Sequence, residues 1–133
     1  KKLLALDLVK INKKTLYKSY EANTSNTMFQ RYKKITNQLK LYESGLIEYL
    51  IKELDPSTII LFGSIRKGEY DVESDIDLFV ETSKNKNLNL LTFEKKLNHK
   101  IQLFKDVNMK DLQPQLFNNI INGIKLYGYF KAK

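Results

Sequence analysis

The sequence contains no cysteine, one histidine, two prolines and two arginines among its 133 residues. Without cysteine there are no disulfides, no thiol catalysis and no cysteine-ligated zinc, although the compartment stays open. The lone His99 is surrounded by no metal-ligand set in the sequence and is expected on the surface just past a helix end. Apolar runs are short. Ile59-Ile60-Leu61-Phe62 is far below the length of a membrane span, and the apolar stretch near the start is broken by Asp7 and Lys10, so no signal peptide is visible. No membrane association is expected, and the expected location is cytoplasmic. The first residue is Lys1 rather than methionine, which admits a longer parent chain with further residues upstream.

Scarce arginine also qualifies the charge. The formal net charge is +8, with 23 basic and 15 acidic residues. Only Arg31 and Arg66 are arginines, and asparagine is abundant, a composition that fits drift in an AT-rich genome. Nucleic-acid readers favour arginine for its planar fork, so the charge alone gives little reason to expect a nucleic-acid partner. The placement of the acids says more. Six of them (Glu69, Asp71, Glu73, Asp75, Asp77 and Glu81) fall within thirteen residues that hold no base. Some are explained by a solvated turn, but a basic chain that concentrates its acids this way is a candidate for holding a cation.

The pattern predicts an α/β (α+β) domain, a small mixed sheet with helices packed on it. Residues 3–10 and 15–21 partly alternate, as in a β-hairpin. Ser25 or Thr27 is a candidate helix cap. Met28, Phe29, Tyr32, Ile35, Leu39 and Tyr42 follow helical spacing, and a second helix runs from Leu46 to Leu54 until Asp55-Pro56 stops it. Buried strands are expected at Thr58–Phe62, Ser74–Glu81 and Lys100–Phe104. Helices are expected at Leu90–Asn98 and from Pro114 to about Asn122, with a last strand from Ile124 to Phe130. Tyr42, Tyr49, Phe62, Phe79 and Phe93 suit core positions. Residues 1–45 read as an N-terminal hairpin and helix, and 46–133 as the core.

Asp75 and Asp77 are two apart on a predicted strand, so their carboxylates share one face while Ile76, Leu78 and Val80 face the core. Two such charges side by side need a cation, a proton or solvent. Oxygen ligands select a hard ion such as Mg²⁺, which shares its shell with substrate phosphates. The preceding strand ends in Gly63-Ser64. Glycine allows close backbone approach, and exposed N–H groups beyond it form an anion site. A phosphate cradle would then face a metal pair, as phosphoryl or nucleotidyl transfer requires.

Gly63-Ser64, ten residues, then Asp75-Ile76-Asp77 resembles the signature of the polymerase-β-type nucleotidyltransferase superfamily. The stretch LFGSIRKGEYDVESDIDLFV is similar to its small antitoxin-like members, the minimal nucleotidyltransferases, over about residues 46–130. The resemblance implies Gly63, Ser64 and Ser74 as nucleotide-binding residues, with Gly63 and Ser64 on the triphosphate of an NTP, ATP being the first candidate. It implies Asp75 and Asp77 as catalytic ligands of Mg²⁺ (or Mn²⁺). Arg66 and Lys67 are candidate phosphate contacts, equally well read as an exposed basic loop. Family members carry a third carboxylate on the next strand, where this chain has Gln102, which cannot take a proton from an acceptor hydroxyl. Glu81 and Asp106 have the right parity but lie about 13 Å further along an extended strand, so either would serve only if the chain bends.

The implied activity is transfer of a nucleoside monophosphate to a hydroxyl, on a partner protein such as a HEPN-type toxin. The alternative is a catalytically weak or inactive nucleotide-sensing regulator. The N-terminal hairpin and helix are similar to the end of a winged-helix module of the kind fused to this domain in some archaeal and bacterial chains. Residues 1–55 carry eleven bases and six acids, net +5, which tilts that end toward DNA. A homodimer contact is the other use for such a hairpin.

Overall fold

A computed structural model of the chain describes residues 9–12, 19–22, 26–63 and 74–129. Strands β1 (Val9–Asn12) and β2 (Ser19–Ala22) pair antiparallel, with Val9 opposite Ala22 and Asn12 opposite Ser19. The hairpin expectation therefore holds where it is described. The rest of it, including the turn, lies outside the described residues.

Helix α1 (Thr27–Glu43) starts at Asn26, whose side chain accepts from the Phe29 N–H at 2.9 Å. The cap is thus Asn26, between the two candidates Ser25 and Thr27. An asparagine there satisfies a backbone N–H that has no partner within the helix. The helically spaced apolar residues are not the face that α1 turns inward. Leu41 and Asn37 are buried, whereas Met28, Tyr32, Ile35, Leu39 and Tyr42 are exposed. Helical spacing marks an apolar stripe but not which side of the helix meets the core. Tyr42, expected in the core, has an exposed ring and donates its hydroxyl to the Leu126 carbonyl at 2.7 Å.

Ser44 and Gly45 turn the chain. The Ser44 hydroxyl donates to Leu41 O and accepts from Leu46 N–H, while Gly45 has φ +85°, a conformation suited to glycine. Helix α2 (Leu46–Leu54) then buries Leu46, Ile47, Leu50 and Leu54. Each such side chain contributes roughly 1.5–3 kcal/mol by leaving water. Asp55, before Pro56, adopts a left-handed conformation with φ 44° and ends the helix, as the proline ring disfavours continuation.

The main sheet has the order β5-β4-β3-β6, formed by β3 (Thr58–Phe62), β4 (Ile76–Glu81), β5 (Ile101–Asp106) and β6 (Ile124–Gly128). Strand β3 pairs antiparallel with β4 and β6, and β4 pairs parallel with β5. Helix α3 (Leu91–Leu97) provides the crossover between β4 and β5, and α4 (Pro114–Ile121) precedes β6. The class is α+β with a mixed sheet. Both faces of the sheet are covered. Ile59, Leu61, Ile76, Leu78 and Val80 pack with α2 and the end of α1, and Phe93 and Leu97 of α3 join them. On the other face, Ile60, Phe62 and Phe79 pack with Met109 and Ile120. None of the described helices is long and apolar enough to cross a membrane.

Candidate functional site

The end of β3 lies directly against the paired carboxylates. In register, Phe62 is opposite Asp77, and Asp77 is opposite Gln102. Directly opposed residues share a sheet face, so Phe62, Asp77 and Gln102 form one row across three strands. Asp75 comes just before β4, whose first residue is Ile76 rather than Ser74. The predicted separation of faces is present: Ile76, Leu78 and Val80 are in the core, and Asp77 is half-buried. Phe79, on the same face as Asp77, is fully buried. The polar part of that face is therefore confined to the strand end.

Gly63 follows β3 with φ +79°. A Cβ at this position would collide with Asp77 Oδ2 and stand 3.2 Å from its Cγ. Glycine is required twice here, for the left-handed backbone and for the space that the carboxylate occupies. Ser64, Arg66 and Lys67 lie outside the described residues.

Partial burial raises the pKa of Asp77 above the usual carboxylate value, and the neighbouring Asp75 raises it further. Both causes disfavour the charged form and are relieved by a cation. Gln102 contributes a neutral donor: its Nε2 donates to Asp75 Oδ2 at 2.9 Å. The position expected for a third acid thus touches the first acid of the pair. Neither proposed substitute reaches the site. β4 and β5 run in unbroken register from Ile76 opposite Ile101 to Glu81 opposite Asp106, so the bend that Glu81 or Asp106 needed is absent. Glu81 instead accepts from the Ser57 hydroxyl at 2.7 Å and the Met109 N–H at 2.9 Å. Asp106 accepts from the Asn108 N–H. Among the described residues, no three acidic or histidine side chains gather as a metal cluster.

Sequence reasoning missed two supports. The His99 ring places Nδ1 at 2.7 Å from Ser74 O. A carbonyl only accepts, so Nδ1 carries the proton, and the contact fastens the residue before Asp75 to the start of β5. Glu94 Oε2 accepts from the Ile101 N–H at 2.8 Å, anchoring the same strand. His99 is half-buried, not simply a surface residue. A cavity of about 640 Å³ opens beside Asp75, lined by Ser74, Glu94, Lys95, His99 and Lys100 among others. No local motif announces these groups, because they meet only through the α3 crossover.

The sheet thus sets a glycine against a pair of carboxylates at one strand end. A family model described as polymerase beta, nucleotidyltransferase, matches residues 44–130, and the chain belongs to that family. Among solved structures, one described as the crystal structure of the toxin-antitoxin with AMP-PNP is similar. It is 22% identical, covers 65% of this chain and 73% of its own, and has a TM-score of 0.49. No curated protein matches the sequence.

Proposed function

We propose that the chain binds an NTP, ATP first among them, with Mg²⁺ (or Mn²⁺), and transfers the nucleoside monophosphate to a hydroxyl. The observation that carries this reading is the approach of Gly63 to Asp77. The strand end that would cradle phosphates shares a wall with the carboxylates that would hold the metal. The donor set fits a hard divalent ion. Asp75 and Asp77 are oxygen donors, and both burial and mutual repulsion favour a cation between them. Such an ion neutralises phosphate charge. Gly63, Ser64 and Ser74 would bind the nucleotide, with Gly63 and Ser64 on the triphosphate, and Arg66 and Lys67 would add charge.

We place this function in the minimal nucleotidyltransferase, antitoxin-like branch and in the cytoplasm. The acceptor would be a hydroxyl on a partner protein of the HEPN-toxin kind. Incubation with labelled ATP, Mg²⁺ and a cell lysate tests it. A labelled product that disappears on Asp75→Ala with Asp77→Ala is expected. No label, or label that survives both substitutions, refutes it.

Gln102 favours a second reading. A neutral amide cannot accept the acceptor's proton, so the domain would bind nucleotide without efficient transfer, as a regulator. Residues 1–45 would then be the remnant of a winged-helix module directing DNA binding, and 46–133 the sensing core. DNA binding that weakens steeply with salt would support it.

A further inference from the structure

Asp75 and Asp77 are held by different means. Asp77 lies inside the sheet, paired with Phe62 of β3 on one side and Gln102 of β5 on the other. Asp75 comes one residue before the first β4–β5 pair, Ile76 opposite Ile101. It therefore lies outside the ladder that fixes its neighbour. Burial, and then the charge of Asp75, raise the pKa of Asp77, so the two carboxylates repel. A charged side chain at a strand end moves away from a like charge and into water unless something holds it.

Three hydrogen bonds oppose that movement, and all come from residues 99–102 at the start of β5. The His99 Nδ1–H donates to Ser74 O at 2.7 Å. Lys100 O accepts from the Ile76 N–H at 2.7 Å. Gln102 Nε2 donates to Asp75 Oδ2 at 2.9 Å. The residue before Asp75, the residue after it and its own carboxylate are each gripped. Glu94 anchors the gripping segment: its carbonyl accepts from the Asn98 and His99 N–H groups, and its Oε2 accepts from the Ile101 N–H. The Lys100 bond is the ordinary first rung of a parallel ladder. The His99 bond is made by a side chain beyond the end of that ladder. The register of β4 on β5 is already set by the pairs from Ile76–Ile101 to Glu81–Asp106, so the ring is not needed for register. What it fixes is the backbone on the far side of Asp75.

We propose that His99 is a positioning residue, whose bond to Ser74 O keeps Asp75 beside Asp77 in the geometry a divalent ion requires, a role that rests on the metal-binding function proposed above. Groups that orient metal ligands without touching the ion commonly set affinity by about ten- to a hundredfold.

Two substitutions test it on the full chain. His99→Phe keeps a ring and removes the donor, whereas His99→Asn keeps a side-chain N–H attached to Cγ, as Nδ1 is. In a Mn²⁺ titration, His99→Phe should bind about tenfold more weakly or worse, and His99→Asn should recover most of the loss. Amide hydrogen exchange of the metal-free chain gives a second readout. The Ile76 N–H should exchange faster in His99→Phe and at the native rate in His99→Asn, while Leu78 and Phe79, inside β4, stay as protected as in the native chain. Since His99 is the single histidine, nitrogen NMR also reads its ring directly, and the neutral ring should carry its proton on Nδ1. A proton on Nε2 alone overturns the proposal, as does native Mn²⁺ affinity in His99→Phe, a loss that His99→Asn does not restore, or equal loosening of Leu78 and Phe79. A native chain that binds no Mn²⁺ refutes the metal-binding function instead, and the Ile76 exchange rate then still decides whether His99 holds this segment.

Discussion

Gly63→Ala tests whether the end of β3 and the carboxylate pair act as one unit. Alanine at φ +79° costs about 1–2 kcal/mol from the left-handed backbone. Its methyl group would also collide with Asp77 Oδ2. Asp77 sits on a central strand and has no backbone freedom to retreat, so its side chain must leave its rotamer, at about 0.5–1.5 kcal/mol. The sum is about 1.5–3.5 kcal/mol, a fall in Tm on the order of 10 °C for a chain of this size. The informative control is Gly128→Ala. Its φ is +77°, and its Cβ would strike the backbone carbonyl of Ser57, so it should destabilise at least as much, yet it displaces neither carboxylate. Calorimetry with and without Mg²⁺ separates the two. A ligand at ten times its Kd adds about 1.4 kcal/mol to stability. Native protein and Gly128→Ala should show that increment, whereas Gly63→Ala should lose it. If Gly63→Ala melts like the native chain, or keeps the Mg²⁺ increment, the proposed shared wall is wrong.

Asp77→Asn should change how stability responds to pH. The folded-state pKa of Asp77 is raised, so the folded chain holds that proton more tightly than the unfolded chain does. Its contribution is fully present below the ordinary carboxylate pKa and is lost as pH rises through the raised value. Metal-free native protein should therefore lose Tm over that window, while Asp77→Asn loses less and gains nothing from Mg²⁺. A steeper loss in the variant would contradict the assignment. Gln102→Ala removes the donor that orients Asp75, and Mg²⁺ affinity by titration calorimetry should fall about tenfold. Unchanged affinity would mean that the hydrogen bond is incidental. Gln102→Asp should lower metal-free stability, because it sets a third carboxylate against Asp75, and should raise transfer if only the missing base limits it.

The strands were legible because their signals are local. Thr58–Phe62 is an unbroken apolar run and is buried throughout. Counting from the buried alternation of Ile76, Leu78 and Val80 was enough to place Asp77 on the opposite face. Gln102 was singled out through the family resemblance, which expects an acid on the strand after the pair, and the parallel register sets it beside Asp77. The inward face of α1 was not legible. The spacing of Met28, Tyr32, Ile35, Leu39 and Tyr42 is as good a core stripe as that of α2, and only the docking of Leu41 shows that it points away. His99 and Glu94 were invisible for a related reason. Their partners, Ser74 O and Ile101 N–H, are backbone atoms, which no side-chain motif encodes.

The amide at Gln102 also has a physical consequence for the pair it joins. Two carboxylates near one strand end repel, and the pKa of Asp77 rises partly for that reason. A third acid in the same row would add a second unfavourable neighbour and make the metal-free site harder to fold. Glutamine adds no charge to the row and offers an N–H to Asp75. It thus holds the Asp75 side chain in place, at the cost of a group that could receive a proton. In the proposed activity, a site built this way would favour holding nucleotide over activating an acceptor. For the same reason, an acceptor hydroxyl that arrives already deprotonated, or is deprotonated by a group on the partner, would lose little from the exchange.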